Sequence, residues 1–236
     1  MLGLAVALAV PVAVASQAAT AASPNCRSGR ALYDHGGARL FGVSFKDHDG
    51  YPHQELLACL PSSRRPITVF DPGPFVYVQG GHVARFGPRL GFVANVEGFD
   101  NGSETDLGWL NLASGAVRRG VINAGENGGP HDPELPSGPI AYSIGADGAI
   151  AFIAGSSCQV VGLLDPRASA YDSSYRLGPP VVVSTAASGG LAYQSIALTA
   201  TTVSWRTHAG MAVSVARPPA PTGTKISGAQ TGGCSD

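Results

Sequence analysis

Two acidic segments hold the residues best suited to chemistry. Asp47-His48-Asp49-Gly50-Tyr51-Pro52-His53 and Asp100-Asn101-Gly102-Ser103-Glu104-Thr105-Asp106 each combine carboxylates with a glycine. Oxygen ligands on a tightly turned backbone are what Ca2+ requires. Asp47, Asp49, Asp100, Asn101 and Glu104 are therefore a candidate calcium or ligand-binding set, although neither segment has the EF-hand spacing. Solvated hairpin tips use the same residue types. Glycoside hydrolysis is a second chemistry: it needs two carboxylates about 5–10 Å apart across a cleft. Asp47, Asp49, Glu97, Asp100 and Glu104 supply them if the loops face one another. Tyr51, Phe99, Tyr171 and Tyr175 are aromatic residues of the kind that stack on sugars. Tyr171-Asp172-Ser173-Ser174-Tyr175 is a candidate contact patch. Ala141-Tyr142-Ser143-Ile144-Gly145 approaches a nucleophile elbow. It has Ala in the first position and leads into Ala146-Asp147-Gly148, a turn signal rather than a helix start. The six histidines (His35, His48, His53, His82, His131, His208) contain no H-E-x-x-H and read as scattered surface side chains.

The elements that position these residues must be strands. Gly (32) and Pro (18) make up about a fifth of the 236 residues, against roughly 12% in an average chain. They are the two poorest helix formers, so a coiled coil or helical bundle is excluded. Hydrophobic residues at 44% and a net charge of -1 exclude wholesale disorder. The longest basic runs are the pairs Arg64-Arg65 and Arg118-Arg119, so no nucleic-acid partner is expected.

Residues 1–21 read as a signal peptide. Leu2 to Ala15 is an apolar run too short for the roughly 20 residues a membrane span needs. Ala13-Val14-Ala15 and Ala19-Thr20-Ala21 are both cleavage candidates, with the second preferred. Export implies an oxidising compartment, in which four cysteines suggest two disulfides. Of the three possible connectivities we favour Cys26–Cys59 with Cys158–Cys234. No C-x-x-C spacing points to zinc.

Internal similarity recurs about every 50 residues. Arg39-Leu40-Phe41-Gly42-Val43 matches Arg89-Leu90-Gly91-Phe92-Val93, and the same offset of 50 maps Leu57 on Leu107 and Leu60 on Leu110. Further copies begin near Ile150 and Val203. Each of the first three opens on a glycine turn: Asp34-His35-Gly36-Gly37, Gln79-Gly80-Gly81-His82 and Gly145-Ala146-Asp147-Gly148. Ala149-Ile150-Ala151-Phe152-Ile153-Ala154 has no polar residue, which suits a strand buried on both faces. Gly42, Gly91, Ala151 and Ser204 would let neighbouring sheets approach closely.

Ala146-Asp147-Gly148-Ala149-Ile150-Ala151-Phe152, Trp109-Leu110-Asn111-Leu112-Ala113-Ser114-Gly115 and Leu198-Thr199-Ala200-Thr201-Thr202-Val203-Ser204-Trp205 resemble the β-propeller repeats of secreted bacterial proteins, of the TolB-like and WD-repeat-like sort. The third stretch departs from the pattern in lacking a D-G turn, and the chain holds fewer repeats than most propellers. The resemblance implies an all-β, propeller-like domain over 22–216, with about four repeats of up to four antiparallel strands, followed by a low-complexity tail over 217–236. A two-sheet sandwich is the alternative. The expected function is that of a secreted, non-enzymatic module binding a protein or cell-envelope ligand. The alternative is an extracellular carbohydrate-active hydrolase. No cofactor other than calcium is expected.

Overall fold

The computed structural model describes residues 24–27, 29–46, 48–63, 65–73, 76–98, 103–124, 140–155, 158–167, 177, 180–187 and 190–219. These residues form four antiparallel sheets and no α-helix. The first sheet is β1 (Arg30–His35), β2 (Ala38–Lys46), β3 (Pro52–Cys59) and β4 (Ile67–Phe70). The second is β5 (Val76–Phe86), β6 (Arg89–Gly98), β7 (Ser103–Asn111) and β8 (Val117–Ala124). The third is β9 (Ile140–Ile144), β10 (Ile150–Ala154), β11 (Cys158–Leu164) and β12 (Val181–Ala187). The fourth has three strands, β13 (Ala197–Leu198), β14 (Thr202–Arg206) and β15 (Ala212–Ala216), after a short 3₁₀ turn at Tyr193–Ser195. Within each sheet the strands pair in chain order, as a simple meander. Four sheets replace the two of the alternative sandwich.

Gly36 and Gly37, at φ +62° and +76°, close the β1–β2 hairpin. A two-residue loop of this kind needs positive φ at both positions. The expected second turn at Gln79–His82 is instead inside β5, where the ladder slips between Gly81 and Ala84. Glycine marks a bulge or a close approach as readily as a turn: a Cβ on Gly80 would lie 2.4 Å from the Leu32 side chain. The β5–β6 turn is Gly87-Pro88, since Phe86 pairs with Arg89.

That turn changes the repeat offset. His35 pairs with Ala38 in the first sheet and Phe86 with Arg89 in the second, so Ala38 corresponds to Arg89, 51 residues on rather than 50. The later hairpins agree: Leu57 pairs with Thr68 as Gly108 pairs with Arg119. A one-residue shift in a strand exchanges the two faces. Leu40 and Leu90 are therefore not equivalents. They belong to one core cluster, across which the two sheets meet. The true equivalents are Phe41, Phe92 and Phe152, each 0% exposed at the middle of the second strand of its sheet.

With this register the sheets stack head to tail. Each has a forward face toward the next sheet and a rear face toward the one before. Leu40, Leu56 and Ala58 of the first forward face pack with Leu90, Phe92 and Leu110 of the second rear face. Val93, Leu107 and Trp109 of the second forward face meet Ile150, Phe152 and Val160. Ala151, Ile153 and Leu163 of the third forward face meet Val203 and Trp205. Every residue of β10 is buried, as expected for a strand covered on both sides. Gly91 allows close approach between sheets, since a Cβ there would sit 2.4 Å from the Tyr142 ring. The first strands β1, β5, β9 and β13 lie against one another in succession.

The two ends of the stack differ. On the fourth forward face, Arg206, Ala212, Ser214 and Ala216 are exposed. The first rear face is apolar, with Phe41, Val43, Leu57 and Cys59 buried beside Cys26 and Phe45. Cys26 is bonded to Cys59, one of the two expected pairs. The Cys158 side chain and Cys234 lie outside the described residues.

The Cys26–Cys59 bond closes a loop of 33 residues, which in the chain-entropy treatment stabilises by about 4 kcal/mol. Replacing both cysteines by serine should lower the urea midpoint correspondingly. The exposed first face should also bind a hydrophobic dye in the reduced chain.

Candidate functional site

Side-chain staples identify one end of the stack. Arg89 donates to the Gly145 carbonyl in the β9–β10 turn at 3.4 Å, and its guanidinium lies 5.0 Å from the Trp109 ring centroid. Trp109 Nε1 donates to the Gly148 carbonyl at 2.8 Å. Arg217, with only 3% of its side chain exposed, bridges Asp147 Oδ2 at 2.6 Å and Asp165 Oδ2 at 2.8 Å. Arg217 is the first residue of the expected tail, and it is docked against the third sheet. The opposite end carries the turns between second and third strands, described at 48–51 and 207–211.

At that opposite end the first sheet presents a mixed-donor cluster. His53 and Glu55 are two apart on β3, so both project from the rear face. Asp71 follows β4. His53 Nε2 donates to Asp71 Oδ1 at 2.9 Å and lies 3.6 Å from Glu55 Oε1. One donor atom from each of the three residues falls within 4.8 Å of the others. The imidazole is stacked on Phe45, its cross-strand neighbour, with centroids 4.8 Å apart and planes at 19°. His53 Nδ1 is buried without a partner. Burial raises the Glu55 carboxyl and Asp71 raises it further, while His53 pulls it down.

The same position in the second sheet holds a different arrangement. At the 51-residue offset His53 corresponds to Glu104, and Glu55 to Asp106. Arg119 Nη1 donates to Asp106 Oδ2 at 2.6 Å and is 3.9 Å from Glu104 Oε1. Its guanidinium carbon lies 4.0 Å from the centroid of the Phe70 ring in the first sheet, a cation–π contact across the interface. Asp106 is 0% exposed. Burial pushes its carboxyl up to about 7; Arg119 opposes this and Glu104 adds to it. Two adjacent carboxyls, one raised, is a pattern seen in acid–base sites. Here the raised group is sealed from solvent and tied to a structural arginine.

Asp165 is also buried, at 1%. Burial pushes its carboxyl up, but hydrogen bonds from Arg167 and Arg217 outweigh this and hold it well below the usual carboxylate range.

Of the two acidic segments, the described residues include His48 to His53 and Ser103 to Asp106. His48 and Asp49 pair with each other at 2.9 Å on the exposed β2–β3 tip. Glu104 and Asp106 belong to strand β7 rather than to the loop before it. Asp47, Asp100, Asn101, Tyr171 and Tyr175 lie outside the described residues. His53, expected at the surface, has only 11% of its side chain exposed. Ser143 is in β9 and leads through a turn into β10, not into a helix. The sequence points to none of Glu55, Asp71, Asp165 and Arg217 as site residues, to Asp106 only as the end of the second acidic segment, and to Arg119 only as half of a basic pair. The readable signal was the alternation His53-x-Glu55 and Glu104-x-Asp106, which recurs only at the 51-residue offset.

No known protein-family model matches the chain, and no characterised protein matches it in sequence.

Two predictions follow the buried charges. Asp106 binds a proton in the folded state up to about pH 7, whereas an unfolded Asp releases it near 3.9. Stability from this group is therefore lost as pH rises through that window. Asp106→Asn should flatten the decline in urea midpoint between about pH 4 and 7. Asp165 has the opposite sign: its contribution is complete above about pH 4 and is lost only at lower pH. Arg217→Ala, which leaves Asp165 with Arg167 alone, should cost about 3 kcal/mol at neutral pH and bring acid unfolding to higher pH.

Proposed function

We propose that this chain is an exported, non-enzymatic β-repeat module of propeller type that recognises a protein or cell-envelope ligand through its second-to-third-strand hairpin tips. The observation that carries this reading concerns Tyr51 and Met211. They are the large hydrophobic residues left exposed among the described residues, at 44% and 65%. Tyr51 is on the β2–β3 tip and Met211 on the β14–β15 tip, so both belong to equivalent hairpins at the end opposite the arginine staples. A rigid scaffold with recognition residues on its loops is the usual division of labour in such folds.

The propeller reading is supported by meander sheets that stack head to tail and by the chain of contacts among the four first strands. Those strands correspond to the inner strands of blades. Export is supported by the Cys26–Cys59 disulfide and by the apolar run at Leu2 to Ala15. No helix among the described residues is long and apolar enough to cross a membrane.

The test uses the oxidised chain from residue 22, immobilised and exposed to envelope proteins and envelope glycans from the producing cell. Wild type should retain a specific ligand. Tyr51→Ser with Met211→Ser should lose it at unchanged melting temperature, since exposed substitutions shift stability by only about 0.5 kcal/mol or less. Equal retention by the double variant would contradict the reading. Release of reducing sugar from the glycans would favour the hydrolase instead.

A further inference from the structure

We propose that His53, Glu55 and Asp71 form a binding site for a divalent transition-metal ion of the Zn2+ class. The donors are one imidazole nitrogen and two carboxylate oxygens, a set that suits Zn2+ and leaves a fourth position for water. Their separations already bracket what coordination needs. Bonds of about 2.0–2.1 Å in a tetrahedral site place ligand atoms about 3.3 Å apart. Here His53 Nε2 stands 2.9 Å from Asp71 Oδ1 and 3.6 Å from Glu55 Oε1, and one donor atom of each residue lies within 4.8 Å of the others. Small side-chain movements complete the triangle. The Phe45 ring against the imidazole keeps Nε2 directed at the two carboxylates.

The second sheet supplies an independent argument. Its equivalent carboxyl, Asp106, is paired with the Arg119 guanidinium at 2.6 Å. Thr68 occupies the Arg119 position in the first sheet. Among the described residues no arginine or lysine pairs with Glu55 or Asp71, and a second carboxylate stands beside the imidazole. Two carboxylates sharing one imidazole call for positive charge, and a divalent ion supplies it. On binding, the ion takes the Nε2 lone pair, and the ring proton moves from Nε2 to Nδ1 so that the ligand is a neutral imidazole. The ion would pin Asp71, where the chain leaves the first sheet for the second, to the start of β3.

The test titrates Zn2+ into the metal-stripped, oxidised full chain by calorimetry and follows the melting temperature with Zn2+ and then with EDTA. The expected result is one saturable site and a rise in melting temperature that EDTA reverses. His53→Gln and Asp71→Asn should each weaken affinity at least about tenfold. A His48→Gln, Asp49→Asn variant, altering the neighbouring exposed pair, should bind as wild type does. Asp71 has 47% of its side chain exposed, so its variant keeps the test decisive if His53→Gln fails to fold. No saturable binding in excess Zn2+ would overturn the proposal. So would undiminished binding by Asp71→Asn, or loss of binding in the His48→Gln, Asp49→Asn variant.

Discussion

The structure depends on the phase of side-chain alternation along the second strand of each sheet. A strand presents successive residues to opposite faces, and here both faces of the inner sheets are buried. The rear-face positions of Phe41, Phe92 and Phe152 carry aromatic bulk, and on the second forward face Gly91 admits the Tyr142 ring of the next sheet. Opposite Phe92 and Phe152 the neighbouring strand has Gly108 and Gly162, each so near the ring that a Cβ would collide with it. A ring lying over a glycine thins the sheet and lets the next layer close down at normal packing density.

A stack of this kind traps polar groups between layers, and each has to be neutralised where it lies. In the second interface Arg89 is held by Trp109 and the Gly145 carbonyl. Between the third and fourth sheets Arg217 joins Asp147 and Asp165. Between the first and second, Arg119 joins Asp106 beneath Phe70. These charges are structural, because their partners are fixed and at least one member of each ion pair is nearly sealed from solvent. Among the described residues the first sheet's rear face has no sheet before it. It is closed by Cys26 and its disulfide, and beyond that closure the His53 cluster meets solvent at the hairpin end. The same two strand positions thus serve as an internal staple in one repeat and as a candidate ligand set in the other.

Much of the architecture was legible in sequence. The β1–β2 and β9–β10 glycine turns and the polar-free run through β10 rest on local chemistry that one segment displays by itself, whereas the Cys26–Cys59 pair, 33 residues apart, was one choice among three connectivities. The repeat offset was legible only approximately. Arg39-Leu40 and Arg89-Leu90 are identical as letters, but the β1–β2 loop and the β5–β6 loop place them one residue out of phase. Letter identity therefore pointed to the wrong face. That error hid the equivalence of Glu55 with Asp106, and with it the contrast between Arg119 and Thr68. Asp71 and Arg217 were hidden for a different reason. Each acts through a partner far along the chain, which no local pattern reveals.

The head-to-tail stack with a 51-residue phase is best tested by methyl-selective nuclear Overhauser measurements on the oxidised protein. Leu90 methyls should show cross-peaks to first-sheet methyls, including Leu40 and Leu56, with which they share a core. They should show none to Ile144, which packs with the second sheet's other face. Cross-peaks from Leu90 to Ile144, with none to the first sheet, would restore the 50-residue phase and contradict the account.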